Sequence, residues 1–244
     1  MTKWLNPTLF PKLNQKILHI WRISIENFAP KEKDLFQLLN PQEKERANQF
    51  LVKEAATNFI ISRAILRTLI AKYLDNSPQK IVLHQNKYGK LYLNENRLKF
   101  NLSHSRGLAV MIFALDTEVG IDVEYIRQDF ECLTIAQRFF SDQEIQDLLY
   151  TLDPEKPLAF FNCWSRKEAV IKALGSGLFT ELDSFSVEVF SKKTGPVNLS
   201  FNKKTLTDFS LYSFDPGSDH SGAFALADTK LYQTNYFEFD DRVR

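Results

Sequence analysis

Asn40-Pro41-Gln42-Glu43 and Ser141-Asp142-Gln143-Glu144 are two helix openings of the same design. Each begins with a polar residue whose side chain can accept from the first free backbone amides of a helix. The first has proline in its first turn and an acidic residue behind it, and the second reads as a capping box. Working outward, a longer helix follows each opening: 59–71, containing Ser62-Arg63, and 158–174, containing Ser165-Arg166. Strand-like segments come next, at 80–83 and 91–93 in the first copy and at 185–190 in the second. Each copy then closes with a His-Ser turn and an apolar strand. These are His104-Ser105 before 109–114, and His220-Ser221 before 223–227. The shared order carries more weight than any single match. It predicts an α+β fold of two pseudo-symmetric halves, each a small antiparallel sheet packed with helices. The halves are expected at 1–116 and 117–244, joined through Leu115-Asp116-Thr117-Glu118, with a ligand cleft between them. The ends, 1–16 and 239–244, read as peripheral.

A chain of 244 residues, 44% hydrophobic, is long enough to bury a core in each half. Its 31 basic residues against 30 acidic ones leave no basic excess of the kind a general nucleic-acid binder shows. Cys132 and Cys163 have neither metal-type spacing nor partners for a disulfide framework, so a reducing compartment is expected. No apolar run approaches the ~18 residues of a membrane span, and the start of the chain lacks a signal-peptide core. A soluble, cytoplasmic protein is expected, with no nucleic-acid or membrane partner.

Three segments carry chemistry. Val119-Gly120-Ile121-Asp122-Val123-Glu124 alternates in the manner of a half-buried strand. Asp122 and Glu124 then share one face, ~7 Å apart along the backbone, and can converge on one cation; a solvated strand face is the plain alternative. In the helix at 158–174, winding places Glu168 among Phe160, Phe161, Trp164 and Ile171, with Lys172 at the edge. A surface pair with Lys172 contributes only about 0.3–0.5 kcal/mol, too little to justify a carboxylate on an apolar stripe. A metal partner explains the position better, and a partly exposed glutamate with a snorkelling stem is the alternative. Asn101-Leu102-Ser103-His104-Ser105-Arg106-Gly107 offers small polar groups and free amides suited to phosphate, although such clusters are also ordinary turn chemistry. Tyr88-Gly89-Lys90 reads as a hairpin turn and Gly175-Ser176-Gly177 as a helix C-cap.

Together, Ser103-His104, then Gly120 to Glu124, then Trp164-Ser165-Arg166-Lys167-Glu168-Ala169-Val170-Ile171-Lys172 resemble the ordered signatures of the phosphopantetheinyl transferases. Length and duplication resemble the monomeric, surfactin-synthetase-activating (Sfp-like) type, over residues 41–227. The resemblance implies an enzyme that moves phosphopantetheine from coenzyme A to a serine of an acyl or peptidyl carrier protein, releasing adenosine 3',5'-bisphosphate. It implies that Asp122, Glu124 and Glu168 hold Mg²⁺, with Mn²⁺ as a substitute. Arg46 would contact the nucleotide 3'-phosphate, Tyr88-Gly89-Lys90 would cradle the adenosine, and Ser103 and His104, with Asn101 beside them, would meet phosphate. Lys172 would neutralise the pyrophosphate. Leu91 stands where the family commonly has proline, and Gln85 where some relatives have arginine. These departures bear on nucleotide recognition.

Charge counting agrees with the resemblance. Coenzyme A brings about four negative charges, which three carboxylates alone would repel. A divalent cation together with Lys172, Arg46, Lys90 and His104 reverses the sign. Asp122, Glu168 and Lys172 are the expected catalytic group, with Glu168 as general base, directly or through a metal-bound water. Two other readings stay open at this point: a coenzyme A or nucleotide-binding module without turnover, and an adaptor that binds a partner helix.

Overall fold

The computed structural model describes residues 2–175, 181–189, 195–201, 208–217 and 219–242. In the first half the chain runs through β1 (Ile17–Ser24), α1 (Ile25–Phe28), α2 (Glu32–Gln37), α3 (Pro41–Asn48) and α4 (Lys53–Tyr73). It continues through β2 (His84–Gln85), β3 (Leu91–Tyr92), β4 (Leu98–Ser105) and β5 (Leu108–Leu115). The second half begins with β6 (Val119–Tyr125), α5 (Cys132–Phe139), α6 (Asp142–Tyr150) and α7 (Lys156–Leu174). It ends with β7 (Phe185–Val187), β8 (Gly195–Val197), β9 (Leu199–Phe201), β10 (Ser210–Phe214), β11 (His220–Leu226) and β12 (Gln233–Glu238).

Two four-stranded sheets, β12-β1-β5-β4 and β6-β11-β10-β8, pack face to face. Helix α4 covers the outer face of the first, and α7 that of the second. The strands show why. On β5, Ala109, Met111 and Phe113 face α4 while Val110, Ile112 and Ala114 face the other sheet. On β11, Ala223 and Ala225 face α7 while Phe224 and Leu226 face inward. A strand buried on both faces needs a continuous apolar run, which is what 108–115 and 222–226 supply.

The duplication has a physical counterpart in the buried ion pairs. The expected N-cap at Asn40 and capping box at Ser141/Glu144 form, and Asn40/Glu43 closes into a capping box as well. Glu43 also accepts from Arg67 on α4 at 2.7 Å, and Arg67 donates to the Pro78 and Ile81 carbonyls, both at 2.8 Å. Glu144 pairs with Lys167 on α7 at 2.8 Å, and Lys167 donates to the Leu182 and Phe185 carbonyls at 2.7 and 2.6 Å. In each half one carboxylate thus fixes a short helix to the long helix, whose cation holds the segment that follows.

Several expectations differ in detail. Residues 81–83 are not a strand, because the turn at Pro78–Lys80 delays the ladder to His84–Gln85. Strand β7 stops at Val187, and Phe190 lies outside the described residues. His104-Ser105 ends β4, and the turn itself is Arg106-Gly107, both at positive φ. His220-Ser221 instead opens β11, so the two His-Ser pairs are not equivalent positions. Strand β12 pairs parallel with β1, which places the end of the chain in the first sheet. Neither terminus is peripheral, since Phe10 stacks on Trp21 and Phe239 is buried in the first core. Gly175 caps α7 at φ 68°, and Ser176 and Gly177 lie outside the described residues.

Candidate active site

The two sheets meet where β4 runs beside β6, and side chains make the seam. Asn101, Ser103 and Ser105 alternate along β4 and so share a face. Asn101 Oδ1 accepts from the Ile121 N–H at 3.0 Å. Ser103 Oγ donates to Asp122 Oδ1 at 2.8 Å, and Ser105 Oγ donates to Glu124 Oε2 at 3.1 Å while accepting from the Tyr125 N–H. Strand β6 is not half-buried as its alternation suggests. Val119, Ile121 and Val123 face the first sheet, and α7 covers the other side. Gly120 permits that cover: a Cβ there would lie 2.1 Å from the Ala169 carbonyl oxygen and 2.2 Å from the Ala173 nitrogen.

Close packing of α7 on β6 brings Lys172 to the seam. Its Nζ lies 2.6 Å from Asp122 Oδ1 and 2.9 Å from Ser103 Oγ. Asp122 is buried, and its Oδ2 has no hydrogen-bond partner among the described residues. Burial first, then the charge of Asp122, pushes the Glu124 carboxyl up to about 7. Burial also raises Glu168, with Asp122 adding to the rise and Lys172 opposing it. Burial alone would depress Lys172, but Asp122, Glu168 and Glu124 outweigh it and hold the ammonium above the ordinary lysine value. Three carboxyl groups and one ammonium therefore interact in a poorly solvated corner, where burial and mutual repulsion favour proton uptake by the carboxyls.

Beside that corner lies a cavity of about 310 Å³ whose lining includes Arg46, Tyr88, Gly89, Lys90, Asn101, Glu168 and Lys172 from the expected set, together with Arg63, Leu102 and Gly175; of the three carboxylates only Glu168 lines it. A second cavity of about 320 Å³ shares Arg46, Arg63, Gln85 and Leu91 with it, so the two form one cleft. The first half supplies one wall and α7 the other. A larger cavity of about 710 Å³, lined by Phe10, Lys72, Tyr73 and Arg97 among others, contains none of Asp122, Glu124 and Glu168. Size alone does not mark the chemistry here.

Several expected residues stand differently: Ser103, Asp122 and Glu124 lie at the seam and do not line the cleft. His104 is exposed and is not among the lining side chains. The Lys90 ammonium donates to Glu118 at 2.8 Å, to the Val119 carbonyl at 3.2 Å and to the Ala173 carbonyl at 3.1 Å, tying its turn to the second half. Sequence reading missed Arg63 and Asn86. Arg63 lies in the cleft wall, its guanidinium 5.4 Å from the Phe59 ring centre and Arg46 at 5.2 Å from the same ring. A buried arginine between Ser62 and Ala64 in an apolar helix was the available signal. Asn86 gave no signal, since its partners lie in the turn and across the cleft.

No three His, Cys, Asp or Glu side chains among the described residues are gathered closely enough to hold an ion as they stand. The donor set nevertheless suits a hard cation. Asp122 Oδ2 is a buried oxygen lacking a partner, and a small divalent ion needs only one or two carboxylates when phosphate and water complete its shell.

Residues 118–227 match the family model described as the 4'-phosphopantetheinyl transferase superfamily, and residues 21–115 match the N-terminal model of 4'-phosphopantetheinyl transferase. The chain is 33% identical over 214 residues to the 4'-phosphopantetheinyl transferase HetI of Nostoc sp., covering 86% of this chain and 87% of that one. The chain belongs to the 4'-phosphopantetheinyl transferase superfamily. It is also 31% identical to the 4'-phosphopantetheinyl transferase Sfp of Bacillus subtilis, covering 73% of this chain and 79% of that one. An L-aminoadipate-semialdehyde dehydrogenase-phosphopantetheinyl transferase of Homo sapiens is 27% identical, covering 75% of this chain and 62% of that one. The general reaction of phosphopantetheinyl transferases carries the phosphopantetheine of coenzyme A to a carrier protein. The two family matches meet at the β5–β6 connection, and the seam of this phosphopantetheinyl transferase joins β4 of one matched region to β6 of the other. No helix among the described residues is long and apolar enough to cross a membrane.

Proposed function

We propose that this chain transfers 4'-phosphopantetheine from coenzyme A to a serine of an apo acyl or peptidyl carrier protein, with Mg²⁺, and releases adenosine 3',5'-bisphosphate. The observation that carries this reading is the single cleft that places Glu168 and Lys172 opposite Arg46 and the Tyr88-Gly89-Lys90 turn. Arg46 takes the nucleotide 3'-phosphate, and the turn holds the adenosine. Lys172, kept protonated by its carboxylate neighbours, faces the pyrophosphate. Asp122, Glu124 and Glu168 would hold Mg²⁺, with Mn²⁺ as an alternative, and the ion supplies neutralisation of charge on the pyrophosphate when bound.

The carrier serine oxygen attacks the phosphorus that bears the pantetheine arm. The new O–P bond forms as the bond to the adenosine-side phosphate oxygen breaks, and that oxygen leaves with the electron pair. The serine proton passes to Glu168, directly or through a water molecule, since of the three carboxylates only Glu168 lines the cleft. Lys172 stabilises negative charge developing on the leaving phosphate, the kind of fixed positive charge that dominates phosphoryl transfer. Both walls of the cleft come from one chain, which supports action as a monomer.

Incubation with coenzyme A, Mg²⁺ and a panel of apo carriers, followed by intact-mass measurement of each carrier, tests the reading. At least one carrier gains the mass of phosphopantetheine, and Glu168→Gln abolishes the gain while the circular dichroism spectrum stays native. A full panel left unmodified by the folded wild-type protein overturns the proposal.

A further inference from the structure

We propose that Asn86 is a positioning residue that sets the width of the cleft, joining the turn on one wall to the end of the helix that carries Glu168 and Lys172 on the other. The inference rests on the transferase reading above and assigns a role to a residue outside the expected site.

Asn86 uses every polar group it has. Its Oδ1 accepts from the Tyr88 N–H at 2.9 Å and from the Lys90 N–H at 3.0 Å, which shapes the turn. Its backbone N–H donates to the Lys90 carbonyl, and its carbonyl accepts from Gly89, both at 2.9 Å. The remaining group, Nδ2, donates across the cleft to the Gly175 carbonyl at 2.7 Å, 89 residues away in sequence. One planar amide thus fixes the local turn with its oxygen and the distant helix end with its nitrogen.

The far side of the contact is shaped to receive it. Gly175 ends α7 at φ 68°, a conformation that side chains resist. A Cβ there would approach Lys90 Cδ to 3.1 Å and Asn86 Nδ2 to 3.4 Å. Lys90 adds its bond to the Ala173 carbonyl at 3.1 Å, one residue before the end of the helix. On its other side α7 is pressed against Gly120 by backbone contacts that leave no space for a methyl group. The last turn of α7 is therefore held from both halves at once, and Lys172 lies within it. Displacing a catalytic group by about 1 Å can cost on the order of 100-fold in rate.

Asn86→Asp separates the two jobs of the side chain. It keeps an oxygen for the Tyr88 and Lys90 amides and sets a carboxylate oxygen against the Gly175 carbonyl. Expected is a loss of about 10-fold or more in kcat, with the KM for coenzyme A changed less than about threefold. Amide hydrogen exchange should accelerate both in 86–90 and in 170–175. Asn86→Ala removes both jobs, so kcat falls and KM rises together. Should the alanine variant fail to fold, the aspartate variant still decides the matter.

An Asn86→Asp enzyme with native kcat and only a lowered melting temperature overturns the positioning role and leaves the transferase reading intact. A folded wild-type protein that modifies no carrier overturns the transferase reading and this inference with it.

Discussion

Lys172 on α7 donates to Asp122 on β6 at 2.6 Å, across 50 residues of sequence. Asp122 is nearly inaccessible and Lys172 only partly so. Breaking a pair of this kind leaves an uncompensated buried charge, which costs about 3–5 kcal/mol, whereas removing both partners costs far less. Lys172→Met should therefore lower the urea midpoint sharply, and Lys172→Met with Asp122→Asn should recover most of the loss. Neither should transfer phosphopantetheine. A single variant as stable as the double would show that the pair is not buried together.

Glu124 carries a pH signature. Burial and the charge of Asp122 push its carboxyl up to about 7 in the folded protein from the ordinary 4.5, so between those values the folded state binds the proton more tightly. Stability then falls as pH rises through that window, by at most about 3.5 kcal/mol. On the proposed assignment, transfer activity rises with pH through the same window, because the ionised carboxylate is the form that binds a cation. Glu124→Gln should flatten the stability profile, measured as urea midpoints at pH 5 and pH 8, and should lower activity at every pH.

Gly120→Ala tests the contact between β6 and α7. The added methyl would meet backbone atoms of Ala169 and Ala173 at little over 2 Å, and backbone cannot move aside as a flexible side chain can. Overpacking costs roughly 1–3 kcal/mol, and this variant should fall at the upper end by chemical denaturation. Activity should fall further than stability does, because Lys172 rides on the displaced helix.

The buried pair Glu144–Lys167 should prove structural. Lys167→Met orphans a carboxylate that is fully buried, so a loss of about 3–5 kcal/mol is expected. The fraction that remains folded should retain the wild-type KM for coenzyme A, since neither residue lines the cleft. A raised KM with unchanged stability would assign the pair to ligand binding instead.

Much of the plan was legible along the chain because its cues are local. Capping at Asn40 and Ser141 depends on residues three positions apart, and both boxes form. The second long helix formed within two residues of its expected bounds, whereas the first begins at Lys53, six residues before the expected Phe59. The His-Ser correspondence misled, because a dipeptide says nothing about which side of a turn it occupies: His104 ends one strand and His220 opens another. Strand β6 looked half-buried because alternation reports the chemistry of side chains, not what packs over them. Helix α7 lies on the supposedly exposed face and turns Asp122 from a surface group into a buried one.

By itself the sequence determined the α+β class, the two capped short helices and most of the polar residue types that line the cleft, because helix caps, apolar runs and ordered signatures are written in neighbouring positions. Only the tertiary structure decided that Lys172 pairs with Asp122, that Lys90 caps α7, that Arg63 joins Arg46, and that Asn86 spans the cleft. The reason is physical: these contacts join residues far apart in the chain, and their geometry is set by how closely a helix can approach a strand at Gly120.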